Sequence, residues 1–196
     1  LLWVGTKRQI KGVILEAGER TGMPVVTERW IGGTLTNFSV IRSRLRRLEE
    51  PERMEEDGSI NEFSKKMGAT LRREKRKILR NLGGIREMGG IPGAMVVVDP
   101  AREYNAVREA KKLGILVIGI LDTDCDPMDM DIVIPGNDDA LKSARLMVEQ
   151  LVNAVALRIG IDQLLAYNIQ LLLQSLELYS RLRFCRLPNA FAEFFY

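Results

Sequence analysis

Two kinds of hydrophobic spacing alternate along the chain. Short unbroken apolar runs occur at Leu1 to Val4, Pro24 to Thr27, Ala94 to Val98, Ile115 to Leu121 and Ile132 to Ile134. Such runs read as strands buried on both faces, as parallel sheets require. Helix-patterned segments lie between and after them. Gln9 to Arg20 ends at Gly22, and Glu103 to Leu113 ends at Gly114, a residue type suited to a left-handed C-cap. Asn137 caps a third helix, whose first turn holds Asp138 and Asp139 and which runs to about Arg158. Strand and helix alternating at this rhythm predict an α/β body with a parallel sheet and right-handed crossovers.

Glu28 to Pro92 breaks that rhythm. It opens with RWIGGTLTNF and closes with NLGGIREMGGIP. Between these glycine-rich stretches lie two charged arms. Phe38, Ile41, Leu45 and Leu48 are spaced 3-4-3, one apolar seam on a helix. Met67, Leu71, Ile78 and Leu82 repeat the phase, with Glu74 interrupting. Thr36 to Glu50 makes about 22 Å of helix at roughly 1.5 Å per residue, and Ala69 to Gly83 matches it. Pro51 ends the first arm, because a helix interior cannot hold its ring. Asp57, Gly58 and Ser59 supply a turn. The expectation is an antiparallel coiled-coil hairpin, residues 36–81, inserted in a body made of 1–35 and 82–158. Residues 159–196 read as a helical, aromatic C-terminal extension.

Charge gives the hairpin its interest. The first arm carries Arg42, Arg44, Arg46 and Arg47. The second carries Lys65, Lys66, Arg72, Arg73, Lys75, Arg76, Lys77 and Arg80 against Glu74 alone. Arg72, Arg76 and Arg80 recur every four residues and share a face, a row that can follow a phosphate backbone. A solvated coiled-coil face would also carry such cations. The tip is acidic, with Glu49, Glu50, Glu52, Glu55, Glu56 and Asp57, which points to the shafts as the nucleic-acid surface.

Composition narrows the chemistry. The chain has 196 residues, 46% hydrophobic, so one domain with an insertion can build a core. The net charge is only +3, so binding to polyanions must come from local patches. The absence of histidine removes Ser-His triads and histidine metal ligands. Cys125 and Cys185 lie far apart, which fits a reducing compartment and no zinc site. No apolar run approaches the roughly 18 residues of a membrane span. The chain opens inside an apolar strand without a starting Met and reads as part of something longer.

The turn GTKRQIKG lacks both the dinucleotide and the P-loop glycine spacing; Gly5 allows a tight strand-to-helix turn, which leaves Lys7 and Arg8 free at the helix start, next to Thr6. Asp99, Asp122, Asp124 and Asp126 fall at the carboxyl ends of two strands, the edge where open α/β sheets bind ligands. They suit Mg²⁺ or a phosphoryl acceptor. Turn and helix capping suits them better, since no lysine or hydroxyl partner follows at a recognisable spacing. Arg29 and Trp30 offer a guanidinium and a stacking ring, or Trp30 plugs the base of the hairpin. Gly32 and Gly33 allow close approach, and Thr34, Thr36 and Asn37 expose backbone N–H groups at a helix start, a ready anion site.

RWIGGTLTNF, LGGIREMGGIP, VVDP, LDTDCDP and IPGNDDA, in this order after the GTK turn, resemble the small-ribosomal-subunit protein S-two family over about residues 1–145. The resemblance implies a flavodoxin-like three-layer α/β body with a protruding coiled-coil hairpin. It implies a structural, non-catalytic protein that binds small-subunit rRNA and neighbouring ribosomal proteins. The expected setting is the cytoplasm or an organellar ribosome, with no cofactor, metal, small-molecule substrate or membrane. The family's usual segment before the first strand has no counterpart here, and apolar Leu164 to Tyr196 stands where bacterial relatives have a short charged tail. The competing readings are an Asp/Mg²⁺-dependent enzyme or phosphoacceptor and a protein-only interaction module.

Overall fold

The computed structural model describes residues 1–59 and 64–160. Five strands, β1 (Leu2–Val4), β2 (Val25–Val26), β3 (Ala94–Val98), β4 (Leu116–Leu121) and β5 (Ile132–Pro135), form one sheet in the order β2-β1-β3-β4-β5. All four pairings are parallel. Order 2-1-3-4-5 is the flavodoxin-like arrangement, whose switch point lies between β1 and β3.

Alternating side chains give the sheet a core on each face. Trp3, Val96, Val98 and Ile120 join Ile10, Val13, Ile14 and Ala17 of α1 (Lys11–Thr21) on one side. Ala144, Val148 and Val152 of the helical stretch 141–152, here α6, complete that layer. Leu2, Val4, Met95, Val97 and Val117 face the other way, onto Ala106, Val107 and Ala110 of α5 (Tyr104–Lys112). Each large apolar side chain buried this way contributes roughly 1.5–3 kcal/mol. The chain divides into two compact units, 1–152 and 153–196. Residues 153–160 of the second are helical. The expected C-terminal extension otherwise lies outside the described residues.

The insertion departs from two matched arms. Its first part is two helices, α2 (Phe38–Arg46) and α3 (Glu49–Glu56), with Arg47 and Leu48 between them. Pro51 therefore does not end an arm. It sits in the first turn of α3, where a missing N–H leaves no helical bond unmade. Ile41, Leu45 and Leu48 are buried in the same core as β1 and β3, together with Leu82 and Ile85. The second part is α4 (Lys65–Leu82), 18 residues and about 27 Å long. Its seam is sunk only near the body: Leu82 is 3% exposed and Met67 is 51% exposed. Ser64 Oγ accepts from Met67 N at its start. The acids assigned to a tip are not all there. Glu52 forms a two-pronged pair with Arg86, at 3.1 and 2.7 Å, and Glu55 meets Lys75 at 2.5 Å. At the base, Gly84 lies so close to the edge strand that a Cβ would stand 2.3 Å from the Val25 carbonyl oxygen. Only glycine fits there.

Candidate nucleic-acid interface

Three groups of the residues singled out in the sequence come together, each with a different charge balance. The first lies at the switch point. Lys7, expected to be free at a helix start, is not: its side chain is 13% exposed. Its Nζ meets Asp99 at 3.3 Å, Asp138 at 3.0 Å and also Asp139. Burial works against its charge, but the hydrogen bonds it donates to Asp139, Asp138 and Asp99 more than offset this and hold the ammonium well above the ordinary lysine range. Burial raises the Asp138 carboxyl, with Lys7 opposing. Asp99 has φ 61°, a left-handed turn that aspartate tolerates, and its Oδ1 accepts from Arg102 N at 3.2 Å. Asp126 and Asp122 likewise accept from Met128 N and Thr123 N. These aspartates cap turns, and among the described residues no acidic group is arranged to hold a metal. Thr6 is buried and donates to Glu103 from both its N–H and its hydroxyl, while Arg102 Nε donates to Thr6 Oγ1 at 3.2 Å. Burial pushes the Glu103 carboxyl up. Arg8 is exposed.

The second group is the loop before α2. Its backbone donors do make an anion site, and the anion is Glu109 of α5. Glu109 Oε1 accepts from Gly33 N at 2.7 Å and Trp30 Nε1 at 3.0 Å. Oε2 accepts from Leu35 N at 3.0 Å and from Thr36 N and Oγ1 at 3.2 and 3.3 Å. Burial opposes the charge, but the Trp30, Leu35, Gly33 and Thr36 bonds win and hold this carboxyl below its usual range. Trp30 is 8% exposed and Thr34 1%, its hydroxyl turned to Ile31 O. Asn37 occupies the N-cap position of α2 without a side-chain capping bond. Arg29, Gly32, Thr36 and Asn37 remain exposed, with Gly33 partly so. Glu109 was missed in the sequence. The signal was an acid three residues after Ala106, on the face of α5 that carries buried Ala106, Val107 and Ala110.

The third group is the cation row. Lys65, Lys66, Arg72, Arg73, Arg76 and Arg80 are exposed on α4, and Arg42 and Arg46 on α2. Arg76 Nε donates to Arg72 O, one turn back, and Arg42 reaches Gly89 O at 3.5 Å. Among the described residues, Lys65, Lys66, Arg73, Arg76, Arg80, Arg42 and Arg46 have no carboxylate within ion-pair distance. Between the inserted helices, a groove of about 320 Å³ is lined by apolar Leu48, Ile78 and Leu82 and by charged Arg44, Arg47, Glu74, Lys75 and Lys77.

The profile of a family described as Ribosomal protein S2 matches residues 1–157 of the chain. The chain belongs to this family. Small ribosomal subunit protein uS2 of Rhodopirellula baltica is 53% identical over 155 residues, covering 79% of this chain and 60% of that protein. Its namesake from Synechococcus elongatus is 49% identical over 154 residues, covering 79% and 61%. That from Mycobacterium ulcerans is 52% identical over 156 residues, covering 80% and 56%. The chain thus spans about three fifths of the length of the relatives it matches. The Ribosomal protein S2 family is structural and non-enzymatic, which sets aside the reading of Asp99 and Asp122 as a magnesium-dependent centre. None of the described helices is long and apolar enough to cross a membrane.

Proposed function

We propose that the chain is a structural component of the small ribosomal subunit, at work on a cytoplasmic or organellar ribosome. In this reading it binds small-subunit rRNA and neighbouring ribosomal proteins. The observation that carries the RNA part is the exposed row on α4, where Arg73, Arg76 and Arg80 meet no carboxylate among the described residues. A helix that leaves so many guanidinia unneutralised suits a partner that supplies the negative charge. The proposed surface continues over Lys65, Lys66, Arg42 and Arg46 to Arg29 and Arg8. Thr6, Lys7, Trp30 and Thr34 support it from beneath, because their side chains are committed inward.

The test is binding to small-subunit rRNA as a function of salt. Replacing Arg73, Arg76 and Arg80 with Gln should weaken binding and lower the slope of log K against log salt by roughly 0.7–0.9 for each phosphate that is no longer neutralised. Co-sedimentation with small subunits should fall in parallel. An unchanged slope would leave these arginines as a solvated face and remove α4 from the RNA interface.

A further inference from the structure

At the carboxyl edge of the sheet, beside the switch point, a cleft of about 330 Å³ opens between the turn after β1, the loop after β2 and the start of α5. Thr6, Glu28, Arg29, Trp30, Arg102 and Glu103 line it. This is the edge at which open parallel sheets take ligands. We infer that the cleft between Arg29 and Arg102 receives a phosphate group, with Arg102 a binding residue that the family resemblance does not assign. The inference rests on the RNA-binding reading above and places one phosphate of that surface.

The balance of charge in the cleft favours an anion. Both acids lining it are already engaged. Glu28 Oε1 lies 2.5 Å from Lys11 Nζ. Glu103 is 3% exposed, accepts both donors of Thr6, and is pushed toward its neutral form by burial. Asp99, at the end of β3, faces Lys7 and the Arg102 amide. Against these stand two guanidinia. Among the described residues, the Arg102 side chain donates only through Nε, to the Thr6 hydroxyl, which fixes the fork and leaves both terminal nitrogens to donate. Arg29 is exposed and has no ion pair among the described residues. Two planar forks beside acids that are already engaged can pair bidentately with the oxygens of a phosphate. The backbone N–H groups nearby do not compete for that phosphate, because Glu109 already occupies them.

The experiment compares the unmodified chain with Arg102→Gln, Arg102→Lys and Arg29→Gln. Salt-dependent binding to small-subunit rRNA is measured beside calorimetric titration of AMP and inorganic phosphate. Arg102→Gln should lower the salt slope by roughly 0.7–0.9, and Arg102→Lys should keep the slope while weakening affinity. Stoichiometric AMP or phosphate binding that is lost in Arg102→Gln would identify a mononucleotide or the free ion as an occupant. A fallen slope without such binding would identify the polynucleotide backbone alone. If Arg102→Gln melts early through loss of its Thr6 bond, Arg29→Gln decides, since that side chain makes no hydrogen bond or ion pair among the described residues. Unchanged slopes in the glutamine variants, with no binding of AMP or phosphate, would overturn the inference. In that case a reduced slope for the α4 triple variant would leave the RNA-binding reading standing, and an unchanged one would remove both.

Discussion

At the carboxyl edge of the sheet, Lys7 is 13% exposed and held by three carboxylates. On α4, Arg73, Arg76 and Arg80 stand exposed with no carboxylate in reach among the described residues. The two regions carry the same sign of charge under opposite conditions. A desolvated cation must be neutralised by its own chain, because an unpaired charge costs several kcal/mol in a low-dielectric setting. A cation on an exposed shaft is solvated whether or not anything binds. The loop before α2 belongs with Lys7: its N–H groups form an anion site, and Glu109 fills it from within. Internal pairing therefore marks scaffold, even where it is incomplete, as at the buried Asp138 Oδ2, which accepts no hydrogen bond among the described residues; in the proposed reading, unpaired charge marks the surface left for a partner.

The largest expected effect comes from breaking the paired side. Lys7→Met strands Asp99 and Asp138, whose side chains are 12% and 3% exposed. Removing one partner of a buried ion pair costs about 3 kcal/mol. Denaturant unfolding should show that loss, and Asp138→Asn in the same chain should recover part of it. A cost below about 1 kcal/mol would mean that water, not Lys7, stabilises these carboxylates, and the contrast with α4 would fail.

Next comes Glu109→Gln. The amide keeps one acceptor oxygen but turns an NH₂ toward backbone donors, so about 2 kcal/mol should be lost. The pH dependence has a fixed sign. The folded carboxyl titrates below its usual range, so its contribution is present at neutral pH, above the unfolded value. It disappears as pH falls through the folded one. The stability of the two proteins should therefore converge in acid. A constant gap down to low pH would deny the carboxylate its role.

How far the sequence disclosed this contrast depends on the range of each interaction. The apolar runs at Ala94 to Val98 and Ile115 to Leu121 reproduce β3 and, to one residue, β4. Gly22 and Gly114 mark helix ends with φ 64° and 68°. These are local signals. The break at Arg47 and Leu48 was not visible, because the 3-4-3 spacing of Phe38, Ile41, Leu45 and Leu48 continues across it unchanged. Leu48 is buried in the same core as Ile41 and Leu45, so burial along the seam does not mark the break either. Lys7 pairs with Asp138, 131 residues away, and Gly33 with Glu109, 76 away. Periodicity carries no information about such partners. It could only show that Glu109 falls on a face that should be apolar.

A smaller effect is expected at Gly33, where φ is 88°. Alanine there has room, its Cβ 3.4 Å from the Asn37 Cβ, so conformation alone sets the cost at about 1 kcal/mol. Melting should show it, with Gly32→Ala less affected, since Gly32 has open space and no positive φ. Equal losses at both positions would shift the explanation from backbone conformation to packing.

The smallest expected change in stability is on α4, and it tests the other half of the comparison. Arginine and glutamine have nearly equal helix propensity, so replacing Arg73, Arg76 and Arg80 removes little intrinsic helicity. No ion pair among the described residues disappears with them. Arg76 gives up only an exposed bond to Arg72 O, and the repulsion between neighbouring cations is relieved. These effects nearly cancel, so stability should stay within about 0.5 kcal/mol, while rRNA binding falls as proposed. Lys75→Gln is the internal control. It loses the Glu55 pair, whose two side chains are 17% and 34% exposed, and should cost under about 1 kcal/mol, more in low salt than in high. If the triple variant instead melts well before the Lys75 variant, the row on α4 is part of the scaffold, and unpaired charge no longer distinguishes a binding face in this protein.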